Sequence, residues 1–387
     1  MGTACGILSI TFYTQGLFAG PVAAEFGWTR GQFFLGFTIM QLCGLLTAPA
    51  AGTIVDRYGP RVVGIVGLIG HAAMYVALSR NPGSVLYYYV SMAGLAVFAA
   101  GTLPITWTTV INGWFVKNRG LAIGLTMAGT GIAAFLAPPY VQYLMDSFGW
   151  RSAYLGIGLT ALALSLPFVL LTFHLPSDNA RTTEQPSTGR AVWGVTRRQA
   201  MRSYRFWVLG AALFLTVLSV IGMIPNFVPF LLDSGMAAPE AARTASVMGL
   251  AVIAGRLLAG FLVDRFWAPG IAAIFFAMPI AALLMLGNLT ITPGVAFAAA
   301  ITLGLAAGAE LDLLAFLTSR YFGVTHYGAV FGGIYAFFTV GSGLAPLLYA
   351  RTFDALGTYE PILTAAVVLL VIAIGLLLSL GKYPESD

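Results

Sequence analysis

The chain has 387 residues, of which 59% are hydrophobic and only 9% are charged, and its mean hydropathy is +0.88. Soluble domains carry about 25% charged residues, so this composition excludes an ordinary soluble protein and indicates an integral membrane protein. The net charge of +5 does not indicate nucleic-acid binding, because the basic residues lie in short loops rather than along one stripe.

Apolar segments of about 20 residues, the length that crosses a bilayer core as a helix, follow one another along the chain. The first begins almost at Met1 and lacks the basic start and cleavage site of a signal peptide, and the pattern leaves open a start upstream of Met1. Twelve spans are predicted: 2–24, 31–54, 62–79, 84–112, 119–145, 151–174, 206–232, 241–263, 269–290, 294–319, 327–350 and 359–380.

The longest polar interruption, residues 175–205, is rich in Arg, Ser and Thr and divides the spans six and six. We therefore predict an all-α membrane protein whose twelve transmembrane helices form two pseudo-symmetric bundles. Its domains would be an N-terminal six-helix bundle (1–174), a cytoplasmic linker (175–205) and a C-terminal six-helix bundle (206–387).

The two halves repeat at a constant offset of 208 residues without gaps. Parallel six-helix repeats of this kind are a transporter architecture in which the substrate site lies near the membrane midplane. The aligned pairs include Pro21/Pro229, Glu25/Asp233, Gly27/Gly235, Gly52/Gly260, Asp56/Asp264, Arg57/Arg265, Gly120/Gly328, Pro138/Pro346, Asp146/Asp354 and Gly149/Gly357.

Basic residues set the expected orientation. With both termini in the cytoplasm, the inner loops hold 13 of the 19 basic residues and the outer loops hold 5, with Arg256 left inside a span. Cytoplasmic loops carry the excess of Lys and Arg, so both ends and the linker are expected to face the cytoplasm.

Three ionisable residues lie inside predicted spans: Arg256 in the eighth, and Glu310 and Asp312 in the tenth. A charge at the centre of a span costs about 2.5–3.5 kcal/mol on insertion scales, so it needs a functional reason. At the 208-residue offset the first half has uncharged residues, Ala48, Thr102 and Pro104, at these positions. The fold therefore does not require the charges.

Depth suggests which acid meets the arginine. Arg256 lies eight residues before Asp264, and Asp312 lies eight residues before Arg320, which places both about 12 Å inside the membrane. We therefore predict that Asp312 pairs with Arg256. Glu310 is two residues away and points to the other side of its helix. The guanidinium suits a carboxylate substrate, and either acid could carry a coupled proton.

Uncharged polar side chains in the spans complete the predicted site. They are candidates for substrate contacts, although such residues often only join helices. The candidates are Tyr13, Gln15, Trp107, Asn112, Asn226 and Tyr335. Cys5 and Cys43 have no metal-ligand spacing and do not form a disulfide framework, so no metal or cofactor is expected.

The segment GTIVDRYGPR (52–61) and its echo GFLVDR (260–265) resemble the signature loops of the major facilitator superfamily. Stretches such as GPVAAEFGWTRGQ (20–32), NGWFVKNRGLAIG (112–124) and LTSRYFG (317–323) are similar to its branch of monocarboxylate transporters and oxalate/formate exchangers. The resemblance implies that Arg256 binds the substrate carboxylate. It also implies that Asp56, Arg57, Asp264 and Arg265 gate the cytoplasmic side.

This sequence departs from the branch at three places. Animal members pair the arginine with an acid one turn earlier, where this chain has Val252, and they use a lysine in the first span, where this chain has none. The oxalate exchanger carries a second cation in the eleventh span, which here has no basic residue between Tyr327 and Arg351. A single intramembrane cation favours a monoanion over a dicarboxylate.

These features favour a proton-coupled symporter for a small monocarboxylate such as lactate or pyruvate. An organic anion exchanger remains the alternative, and neither an enzyme nor a multidrug exporter fits the pattern, because catalytic clusters are missing and Arg256 lies near the midplane. The expected partners are the organic anion, the proton and the bilayer, without nucleic acid. We expect a monomer in a bacterial cytoplasmic membrane.

Overall fold

The computed structural model describes residues 2–7, 9–114, 119–173, 194–323 and 326–383. The described helices are α1 (Ile10–Phe26), α2 (Arg30–Tyr58), α3 (Pro60–Ser79), α4 (Val85–Phe98), α5 (Pro104–Trp114), α6 (Arg119–Thr172), α7 (Tyr204–Asp233), α8 (Ala238–Val263), α9 (Ala268–Asn288), α10 (Pro293–Phe322), α11 (Tyr327–Leu356) and α12 (Glu360–Leu378). A six-residue helix, Arg197–Arg202, precedes α7.

The helices follow the predicted spans in order. Within the part of the chain that the structure describes, eight helical stretches are long and apolar enough to cross a bilayer. Helices α7 to α12 correspond to the seventh to twelfth spans, while α6 contains the fifth and sixth, joined at Gly149. In lipid, backbone polar groups must be satisfied within the segment, and continuous helices achieve this.

The first span differs from its prediction, because α1 begins at Ile10 rather than near residue 2. The preceding residues form turns in which side chains bond to the backbone. The Thr3 hydroxyl donates to the Thr126 carbonyl, and the Ser9 hydroxyl donates to the Thr3 carbonyl. Such bonds compete with the helix ladder, which explains why an apolar segment rich in small polar residues does not begin as a helix.

The fourth span is not one helix but two, separated by a 3₁₀ turn at Ala100–Thr102. Leu103 is extended because it precedes Pro104, which disfavours helical backbone at the residue before it. Gly101 allows α3 to approach here, since a Cβ at this position would overlap the carbonyl of Val63. The prediction of one continuous helix over 84–112 was therefore wrong.

Glycines with positive φ end helices at equivalent positions of the two halves. Gly27 (φ 67°) and Gly235 (φ 88°) follow α1 and α7, and Gly149 (φ 80°) and Gly357 (φ 70°) lie at the matching later turn. Left-handed backbone is accessible to glycine without a Cβ penalty. The 208-residue repeat thus includes the residues that end the helices.

Internal contacts divide the chain into two compact units. Unit 1 contains Met1–Thr188 and Ala237–Gly249, and unit 2 contains Gly189–Met236 and Leu250–Asp387. The first part of α8 therefore clusters with unit 1. At Gly249 it lies so close to the backbone of Ala134 and Phe135 that a Cβ would overlap them.

One carboxylate in unit 1 joins the end of α1 to a later segment. Glu25, at the end of α1, accepts hydrogen bonds from the Trp150 indole at 2.6 Å and the Arg151 guanidinium at 2.9 Å. The Arg151 guanidinium also lies over the Trp150 ring, 4.3 Å from its centroid. These bonds tie the end of α1 to the residues that follow Gly149.

In unit 2, two glycines let α8 and α10 cross at backbone contact. A Cβ at Gly255 would overlap the backbone of Leu305, and a Cβ at Gly308 would overlap the backbone of Val252. Small residues permit such close approach in membrane helices, where packing rather than water drives association.

Gly255→Ala should destabilise unit 2, because the new methyl meets backbone that cannot move aside. Overpacking of this kind costs about 1–3 kcal/mol. The matched control is Gly260→Ala on the same helix, where a Cβ meets nothing within 4 Å. Thermal unfolding of the detergent-purified variants measures the difference, and equal melting temperatures for the two variants would contradict the proposed backbone contact.

Candidate functional site

The intramembrane arginine and one of the acids form an ion pair in unit 2. Nε of Arg256, on α8, lies 3.1 Å from Oδ2 of Asp312, on α10. The Arg256 side chain is 16% exposed, and that of Asp312 is 41% exposed. The pairing predicted from equal depth is confirmed, and neither side chain is fully buried.

Glu310 lies on the other side of the same helix. Its side chain is 1% exposed, and its Oε1 has no hydrogen-bond partner among the described residues. Tyr335, on α11, lies within electrostatic range of the carboxyl. The two acids therefore have different surroundings, as their two-residue spacing predicted: one is ion-paired and accessible, and the other is buried near a tyrosine.

Tyr335 belongs to a row of aromatic rings along one face of α11. The rings of Tyr327, Phe331, Tyr335 and Phe338 are stacked in sequence, with centroids 5.5, 5.9 and 5.2 Å apart. All four are half-buried. The sequence analysis singled out Tyr335 and missed its neighbours, although their spacing of three and four residues on one helix face was visible.

Asn226 joins helices within unit 2. Its side-chain amide donates to the carbonyls of Gly222 at 2.9 Å and Pro346 at 3.1 Å, and the residue is fully buried. Pro346 lies in α11, so the amide connects α7 to that helix. This is the helix-joining role that competes with substrate binding for polar residues in membrane spans.

The candidates in unit 1 have partners of their own there. The Gln15 amide donates to the Tyr88 hydroxyl at 2.7 Å, and Tyr13 is half-buried with its ring edge-on to Phe12. Trp107 donates from its indole N–H to the Thr102 carbonyl at 2.9 Å.

The Trp107 ring packs in the core of unit 1 with Leu68 and Val169. Among the candidates of the sequence analysis, the Asn112 side chain lies outside the described residues. The substrate roles of Trp107 and Asn112 remain predictions.

The proposed gating residues lie at helix ends. Arg57 is exposed, with its guanidinium 5.4 Å from the Tyr58 ring centroid. Asp264 and Arg265 follow α8 and are exposed, and Arg265 donates to the Phe261 carbonyl at 3.0 Å. The Asp56 side chain lies outside the described residues, and the gating role of all four residues remains a prediction.

An ionisable pair held between helices of an otherwise apolar bundle is typical of membrane transporters, where such residues mark substrate and proton pathways. The family model of the Major Facilitator Superfamily matches residues 1–346, and the chain belongs to this superfamily. The predicted fold class of twelve transmembrane helices in two six-helix bundles is confirmed with it.

Two relatives lie in the branch that the sequence resembles. Human monocarboxylate transporter 11 is 27% identical over 326 residues, which cover 81% of this chain and 67% of the relative. The oxalate:formate antiporter of Oxalobacter formigenes is 24% identical over 332 residues, which cover 84% and 76%. The resemblance to this branch is therefore confirmed.

Solved structures agree on the fold. A bacterial homolog of the human lysosomal transporter Spinster, crystallised in an inward-facing and occupied conformation, superposes with a TM-score of 0.74. It is 18% identical, and the match covers 98% of this chain and 94% of the other. This likeness supports the fold alone. The family match, together with the long apolar helices, shows that the chain is a multi-pass membrane transporter.

The energy of the Arg256–Asp312 pair can be isolated by a double-mutant cycle. Arg256→Gln and Asp312→Asn should each lower the melting temperature, while the double variant should lose less than the sum. Because both side chains are partly exposed, we expect a coupling of about 1 kcal/mol. Strict additivity would contradict the pair. Glu360→Gln, an exposed acid of unit 2, combined with Arg256→Gln is the control that should be additive.

Proposed function

We propose that the protein is a proton-coupled symporter of a small organic monocarboxylate, lactate or pyruvate in kind, working by alternating access. The observation that supports this best is the accessible Arg256–Asp312 pair between α8 and α10. A permanently charged, planar guanidinium binds a carboxylate through two parallel hydrogen bonds. The substrate carboxylate would take the place of Asp312 as the anion beside Arg256.

Charge balance then provides the coupling. When the substrate occupies Arg256, Asp312 loses its counter-charge in an apolar setting, where an unpaired charge is costly. It takes a proton instead, so that one monoanion and one proton cross together. When the substrate leaves, Asp312 releases the proton and returns to Arg256.

Glu310 is the second acid in this scheme. Its carboxyl is buried, and an ionised form would lack a partner for Oε1 among the described residues. We assign to it a share in proton binding through its proximity to Tyr335. Tyr13, Gln15, Trp107, Asn112, Asn226 and Tyr335 remain the proposed substrate-contacting residues, with Asp56, Arg57, Asp264 and Arg265 as cytoplasmic gates.

The alternative function is an organic anion exchanger, the activity that the name of the Oxalobacter relative gives for that protein. An exchanger needs an anion on the arginine before it can reorient. In this chain Asp312 supplies that anion whenever the site is empty, which removes the requirement for a returning substrate. The ion pair therefore favours symport over obligatory exchange.

Transport by proteoliposomes tests the proposal. Radiolabelled lactate or pyruvate should accumulate under an inward proton gradient, and Arg256→Ala should reduce uptake by at least about thirtyfold, the effect of removing one partner of a charge pair. Arg351→Gln removes an exposed cation near the C-terminal end of α11 and should leave uptake unchanged. Uptake that ignores the proton gradient and requires internal substrate would support exchange instead.

The substitution Asp312→Asn separates the two functions within one protein. Without Asp312, only the substrate can neutralise Arg256, so net proton-driven uptake should be lost while exchange of labelled for unlabelled substrate continues. Glu310→Gln should weaken the dependence on the proton gradient, and Glu360→Gln should change neither activity. If Asp312→Asn retains net proton-driven accumulation, the proposed coupling is wrong.

A further inference from the structure

A group of cations at one end of unit 2 has no part in the transport scheme. Arg205 lies in the first turn of α7, Arg320 lies in the last turn of α10, and Lys382 follows α12. The two arginines lie beside two neighbouring rings, Tyr321 and Tyr383, whose centroids are 5.3 Å apart, and Lys382 directly precedes Tyr383 in the chain. We call these five residues the basic cluster.

The rings hold the two arginines in place. The Arg205 guanidinium lies 5.4 Å from the Tyr321 centroid, and the Arg320 guanidinium lies 4.6 Å from the Tyr383 centroid. Nη2 of Arg205 is 3.4 Å from the Lys382 carbonyl oxygen, so the backbone of the third basic residue lies beside Arg205.

The chain that carries Lys382 is itself fixed. The Tyr321 hydroxyl donates to the Gly381 carbonyl at 2.6 Å, and the Ala268 backbone N–H donates to the Tyr383 hydroxyl at 3.0 Å. The cluster is therefore a built feature rather than three free side chains near one another.

The cluster has excess positive charge. Within the described ranges, none of the three cations forms an ion pair with a carboxylate, and the buried Nε of Arg205 has no hydrogen-bond partner. Three cations held together repel one another, so an anion that joins them is favoured. Bidentate binding by arginine suits a phosphate.

The surroundings indicate the kind of anion. The side chains of Tyr204, Trp207 and Trp267 lie at the same end of unit 2 and are about half-exposed, as aromatic residues are at the membrane–water interface. Next to the cluster, α12 exposes Val368, Val371, Ile372 and Leu378 along its length. A ligand with a charged head and an apolar body matches both surfaces, whereas a free anion matches only the first.

From this geometry we propose that the basic cluster binds the phosphate of an anionic phospholipid, whose acyl chains lie along the exposed face of α12. Clusters of Lys and Arg beside a membrane helix attract anionic headgroups, and each such cation strengthens binding. The proposal is independent of the transported substrate and of the direction of coupling.

Native mass spectrometry of the detergent-purified protein, titrated with phosphatidylglycerol or phosphatidylcholine, measures the binding. We expect a preference for phosphatidylglycerol, and about fivefold weaker binding for each cation removed, in Arg320→Gln and Lys382→Gln. Arg351→Gln is the matched control and should bind as the wild type does. Arg320→Lys keeps the charge and should retain most of the affinity.

Further measurements test whether another ligand binds the basic cluster and whether each variant folds. Inorganic phosphate at the same concentrations should not displace the lipid. Melting temperatures in phosphatidylcholine verify that each variant folds, and Lys382→Gln is the least disturbing because its side chain is exposed. Equal affinity for the two lipids, an equal loss in Arg351→Gln or displacement by phosphate would each overturn the proposal.

Discussion

The close crossing of α8 and α10 is the constraint on which the candidate site depends. Gly255 and Gly308 have no side chains at the crossing, and each lies against the backbone of the other helix. This contact sets the distance between Arg256 and Asp312, which follow the two glycines by one and four residues. The 3.1 Å distance between Nε of Arg256 and Oδ2 of Asp312 thus depends on glycine, which has no side chain, at both positions of the crossing.

The crossing also explains how this chain differs from the animal relatives it resembles. Their acid one turn before the arginine corresponds to Val252, which is 3% exposed and whose backbone packs on Gly308. A carboxylate there would be directed into the contact between helices. In this chain the acid is Asp312 on the facing helix. The charge pair therefore joins two helices, whereas an acid at position 252 would pair within a single helix.

Much of this was accessible from the sequence, for identifiable reasons. Apolar length predicted the spans, because lipid forces every backbone group into a helix. The offset of 208 residues predicted matching helix ends at Gly27 and Gly235, and equal distance from the helix ends predicted that Arg256 would meet Asp312. The helix breaks were missed for two reasons. The local effect of Pro104 on Leu103 was not weighed, and the bond from Thr3 to the distant Thr126 carbonyl is not visible in the sequence. The substrate roles of Asn226 and Trp107 stay predictions, because composition alone does not distinguish a substrate contact from a bond within the protein.

The location of the acid has a mechanical consequence. A pair on one helix can open without moving either helix, but a pair between α8 and α10 contributes to their association. In the proposed mechanism, a substrate carboxylate at Arg256 replaces this contact with one that only the substrate makes, and protonated Asp312 no longer attracts α8. Binding would therefore weaken the association of the two helices at the depth of the site, while the glycine crossing one turn away remains packed. When the substrate carboxylate replaces Asp312 at Arg256, two changes would occur together: Asp312 takes up a proton, and α8 and α10 lose a contact. Substrate binding would thus be coupled to helix movement without a separate sensor.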